Sequence, residues 1–63
     1  MTFRQVEKIL RKAGWRCVRQ NGSQYQYRHP NSPNLVSVHR HGSKDISIGV
    51  LKDIERDTGL SIR

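Results

Sequence analysis

The chain has a single cysteine, Cys17, and so cannot close an internal disulfide. That argues against a disulfide-stapled secreted scaffold. Cys17 follows Trp15 in an expected strand, which suits a packed thiol better than a reactive thiolate. Acidic residues are also scarce: 5 Asp and Glu stand against 12 Lys and Arg, for a formal net charge of +7. The acids fall mostly toward the C-terminus and form no carboxylate cluster for a hard cation. With only His29, His39 and His41 beside one cysteine, no zinc-ligand spacing occurs, and no metal is expected. Five glycines give neither a phosphate loop nor a dinucleotide-binding pattern, so no cofactor is expected. No apolar run is long enough to cross a bilayer, and the first residues form an amphipathic pattern rather than a signal peptide. A cytoplasmic location and no membrane partner are the expectations.

What is present is a short, strongly basic chain. Sixty-three residues suffice for one domain, 1–63, with a small core and no deep enclosed pocket. Any chemistry belongs on an open face with a large ligand. The charge favours a polyanion: nucleic acid, an anionic surface or an acidic protein.

Thr2-Phe3-Arg4-Gln5 fits a capping box, and Phe3, Val6, Ile9, Leu10 and Ala13 recur at helical spacing. Gly14 closes this helix. The opposite side carries Arg4, Lys8, Arg11 and Lys12, as a polyanion contact or a solvated face. A strand is expected over Trp15–Gln20, where Cys17 and Val18 break the alternation and leave room for a bulge. Asn21-Gly22 signals a hairpin turn, because both residues tolerate positive φ. The next strand, Gln24–His29, puts Tyr25 and Tyr27 on one face and Gln24, Gln26 and Arg28 on the other. A loop over 30–34 precedes a third strand, Leu35–His39. A final helix begins near Ser47 or Ile48, buries Ile46, Val50, Leu51 and Ile54, and ends at Gly59, where Leu60 suits a Schellman motif. The result is an α+β fold, α-β-β-β-α, with a three-stranded antiparallel sheet and both helices on one face.

Arginines and tyrosines are the residues left to carry function. Arg16, Arg19, Arg28, Arg40 and Lys44 lie on or beside the sheet, and guanidinium forks match phosphate oxygens. Tyr25 and Tyr27 either stack on unpaired bases or pack under the helices. His39 and His41 share a face at one strand end.

Several runs, in their order and spacing, carry a resemblance. They are Leu10-Arg11-Lys12-Ala13-Gly14-Trp15, Gln20-Asn21-Gly22-Ser23, His41-Gly42-Ser43-Lys44-Asp45-Ile46, Gly49-Val50-Leu51-Lys52-Asp53-Ile54 and Thr58-Gly59-Leu60-Ser61. The chain resembles the HicA toxins, the mRNA-cleaving partners of HicB antitoxins in bacterial toxin–antitoxin systems. The resemblance implies a fold like that of double-stranded-RNA-binding domains, and metal-independent cleavage of mRNA by a histidine placed directly after a Gly-Ser pair. This chain has Gln24 at that position. A glutamine amide preserves the size and polar contacts of imidazole but has no usable proton-transfer pKa. Loss of a general base typically costs about 10²–10⁴-fold in rate. By the resemblance, Gln24 marks the catalytic position and His41 is a possible assisting residue; with Ser23 of the turn, the basic residues on or beside the sheet, Arg28, Lys44, Arg19, Arg16 and Arg40, are the candidate RNA contacts. His39 or His41 is an alternative base.

The function expected is that of a toxin, an mRNA endonuclease impaired at Gln24, with mRNA and a HicB-like antitoxin as partners. The alternative is a non-catalytic module that binds RNA or antitoxin.

Overall fold

Thr2 is extended and starts helix α1, Phe3–Lys12. Its hydroxyl accepts the Gln5 N–H while the Gln5 side chain accepts the Thr2 N–H, completing the capping box expected from sequence. Such a cap stabilises a helix by about 1 kcal/mol. At the other end the Gly14 N–H reaches the Arg11 carbonyl and the Trp15 N–H reaches the Leu10 carbonyl. This is a Schellman motif, and its apolar partners Leu10 and Trp15 are both buried. Gly14 has φ +100, and a Cβ there would lie 2.8 Å from His29 Nε2. Both conformation and space therefore demand glycine at this bend.

The computed structural model describes residues 1–40, 42 and 44–62. The expected assisting residue His41 lies outside them. Strands β1 (Arg16–Asn21), β2 (Gln24–His29) and β3 (Ser32–His39) form an antiparallel sheet in the order β1-β2-β3, and helix α2 covers Ile48–Thr58. The order is α-β-β-β-α, as the sequence predicts. Both helices cover the same side: Phe3, Val6 and Leu10 from α1 and Leu51 and Ile54 from α2 join Tyr27, Val36 and Val38 of the sheet in one hydrophobic cluster. Trp15, Ile46 and the tail residue Ile62 complete it. Ile62 is held by its N–H, which donates to the Glu55 carboxylate.

Three local expectations are corrected. The hairpin turn lies one residue later than read. Asn21 pairs with Gln24, so Gly22 and Ser23 form the two-residue loop. Gly22 has φ +62 and Ser23 does not share the positive sign, the pattern of a type II′ rather than a type I′ turn. The third strand starts at Ser32, not Leu35, and runs through Pro33. An edge strand tolerates proline because its missing N–H withdraws nothing from the ladder. Helix α2 closes with a single bond from Gly59 N–H to the Glu55 carbonyl, and the Leu60 N–H turns instead to the Thr58 hydroxyl. That is an αL cap, not a Schellman motif.

Candidate functional site

Two irregularities in the sheet decide which side chains meet. In β1 the pairing shifts between Cys17 and Arg19, leaving Val18 as an extra, 56% exposed residue. Arg16 and Arg19 are three apart, so a regular strand would send them to opposite faces. The bulge turns both outward: Arg16 pairs with Arg28, and Arg19 with Gln26. In β2–β3 the shift falls between Tyr27 and His29. Continuing the His29–Ser32 pairing without interruption would bring Ser37 opposite Gln24. Two additional residues on β3 bring His39 there instead, with Ser37 opposite Gln26.

The face turned from the helices therefore carries Arg16, Arg19 and Asn21 from β1, Gln24, Gln26 and Arg28 from β2, and Ser37 and His39 from β3. The three strands contain no Asp or Glu. Among the described residues no carboxylate forms an ion pair with Arg16, Arg19 or Arg28, whereas Arg11 and Arg56 are both paired with acids on their own helices. Arg19, Asn21, Gln24 and Gln26 line an open depression of about 240 Å³. Gln24 is exposed at its turn end.

Arg19 is thus the arginine brought to Gln24. Arg16 and Arg28 pair at the far end of the sheet, where Arg28 lies about 13 Å along the strand from Gln24. Arg40 is close on the other side of the turn. Its N–H donates to the Ser23 carbonyl at 2.8 Å, and its guanidinium lies 5.4 Å from the centre of the Phe3 ring. Lys44 is exposed, next to the Thr2–Asp45 backbone bridge that anchors the start of α1. The Ser23 hydroxyl and His39 Nε2 share a 2.6 Å hydrogen bond.

The tyrosines do not belong to this face. Tyr27 is fully buried, and its hydroxyl donates to Glu7 at 2.6 Å. Burial, and then the Glu7 carboxylate, raise its pKa far above the usual tyrosine value. Tyr25 is half-buried with its ring 4.7 Å from that of Phe3. Base stacking on a tyrosine of the strand is replaced by packing under the helices. His29 is structural as well: Nδ1 accepts the Asn31 N–H, Nε2 donates to the Ala13 carbonyl, and the ring lies against Trp15. Among the described residues no group of three or more His, Cys, Asp or Glu could hold a metal ion.

The family model described as the HicA toxin of bacterial toxin–antitoxin systems matches residues 3–60. The chain belongs to the HicA toxin family. This makes it a toxin-type chain, and membership implies an antitoxin partner of the HicB type. No curated protein matches the sequence. In this HicA-family chain no helix among the described residues is long and apolar enough to cross a membrane. The residue sequence reasoning placed least well is His39. Its position opposite Gln24 depends on the two-residue slip in β3, which nothing short of the register reveals.

Proposed function

We propose that the protein is a metal-independent mRNA endonuclease toxin whose rate is reduced by the glutamine at position 24. The observation that carries this reading is the setting of Gln24: exposed, beside a tight turn, in an open depression with Arg19, on a sheet face whose strands hold no acid. An open basic face suits a strand of RNA rather than a small substrate. The arginines would hold phosphates, with Arg19 nearest the reacting centre, and charge building on the phosphate would be stabilised by such donors. A group at position 24 able to take the ribose 2′-OH proton would let that oxygen attack the adjacent phosphorus. The amide of Gln24 can hydrogen-bond the 2′-OH but cannot take its proton.

The test is Gln24→His. Its induction in bacteria without the antitoxin is expected to arrest growth and fragment mRNA. A substrate whose 2′-OH is replaced by hydrogen is expected to survive. Normal growth with abundant folded Gln24→His protein would defeat the proposal. It would leave a basic module that binds RNA with steep salt dependence and does not cut.

A further inference from the structure

With glutamine at 24 the outer face lacks the imidazole its family uses, yet the register supplies another one. His39 stands directly across from Gln24. Facing residues of an antiparallel pair keep their Cβ atoms roughly 5 Å apart. The Ser23 hydroxyl, from the residue just before Gln24, is 2.6 Å from His39 Nε2. The backbone fixes this pair from both sides, since Asn21 pairs with Gln24 below the turn and the Arg40 N–H binds the Ser23 carbonyl above it. Among the described residues, the side chains sharing the face with His39 are Asn21 and Arg19 from β1, Gln24, Gln26 and the more distant Arg28 from β2, and Ser37 from β3, with Arg40 next in sequence. All are polar or cationic. Ser23 and His39 are both exposed, at the turn end of the face where Gln24 and Asn21 line the depression.

We propose that Ser23 and His39 form a proton relay that gives the Gln24 chain a slow RNA-cleaving activity of its own. This rests on the outer face being the RNA-cleaving site. The ribose 2′-O–H bond breaks as its proton passes to Ser23 Oγ, and the original Ser23 proton passes to His39 Nε2. The 2′-oxygen bonds to phosphorus, the P–O5′ bond breaks, and its electron pair leaves with O5′, which takes a proton from water. The imidazolium returns its proton to solvent. The products are a 2′,3′-cyclic phosphate and a 5′-hydroxyl, with no net change in protons. His39 acts through Ser23, so it is a positioning and proton-accepting residue rather than one that touches the substrate.

The experiment measures single-turnover cleavage of an end-labelled single-stranded RNA between pH 5 and 8.5. It compares the Gln24 protein with Ser23→Ala, Ser23→Thr, His39→Gln and Gln24→His, each checked for folding by circular dichroism. The Gln24 protein is expected to cut about 10²-fold more slowly than Gln24→His, with a rate that rises with pH across this range. Ser23→Ala and His39→Gln are each expected to lose at least about 10-fold more and to lose the rising limb. Ser23→Thr, which keeps a hydroxyl, is expected to retain both. A merely structural tie between turn and strand would lower the rate without removing the pH limb. If Gln24→His cuts while the Gln24 protein does not, or if His39→Gln keeps the limb, the relay is wrong and the endonuclease reading stands. If Gln24→His is silent too, both fall.

Discussion

The two faces of the sheet are built from alternate residues of the same strands and share almost no chemistry. On the covered face Tyr27, Val36 and Val38 are buried against both helices, and the one polar atom of the three side chains, the Tyr27 hydroxyl, is bonded to Glu7. Among the described residues no buried side-chain polar atom lacks a partner. On the open face Arg16, Arg19, Gln24 and Arg28 are exposed, and the three arginines lack acidic partners among the described residues. Period-two alternation thus separates what holds the fold from what meets a ligand. Changes on one face should leave the other nearly untouched.

The largest expected departure tests that independence. Gln24→His should raise RNA cleavage by about 10²–10⁴-fold while moving the unfolding free energy by less than about 0.5 kcal/mol, read by urea titration. A stability change of several kcal/mol would mean the faces are coupled. On the covered side, Leu10→Ala should remove about 2–5 kcal/mol, enough to unfold much of so small a chain. Circular dichroism checks this, and a melting temperature unchanged within a degree would refute the packing described.

Tyr27→Phe probes the buried Tyr27–Glu7 contact of the covered face. It should cost about 1–3 kcal/mol at neutral pH by removing the hydroxyl that donates to Glu7, which keeps Arg11 at 3.6 Å. The folded pKa of Tyr27 lies above the unfolded value. Stability linked to this proton is therefore complete below about pH 10 and lost as pH rises beyond it. The gap between wild type and Tyr27→Phe should narrow above that point. Denaturant curves at pH 8 and pH 11 with a constant gap would contradict the buried, protonated hydroxyl. The smallest effect belongs to the open face: Arg19→Gln should flatten the slope of log RNA affinity against log salt by about 0.7, the share of one single-strand phosphate, with stability unchanged. An unaltered slope would remove Arg19 from the interface.

Most of the scaffold was legible because it rests on local rules. The Thr2–Gln5 cap, the Phe3-Val6-Leu10 stripe and the shared face of Tyr25 and Tyr27 follow from spacing alone, whereas the inward turn of that face is set by the helices that cover it. The break at Cys17-Val18 correctly announced a bulge. Of the candidate site, Gln24 was singled out through family resemblance and Arg19 only as one of five cations on or beside the sheet. The rest depends on long-range pairing. Whether a tight turn uses Asn21-Gly22 or Gly22-Ser23 is decided by which residues pair across it. The course of β3 through Pro33, and hence the place of His39, is decided by an irregularity between strands. Ile62 is buried because the tail folds back, a tertiary event with no periodic signature in three residues.

The slip in β3 has a further consequence. Because it amounts to an even number of positions, inside stays inside when it is removed. The same residues paired without the slip, none of them removed, would keep each side chain on its own face yet bring Ser37, rather than an imidazole, across from position 24. Register alone therefore exchanges the chemistry available at this spot without a single substitution on either face.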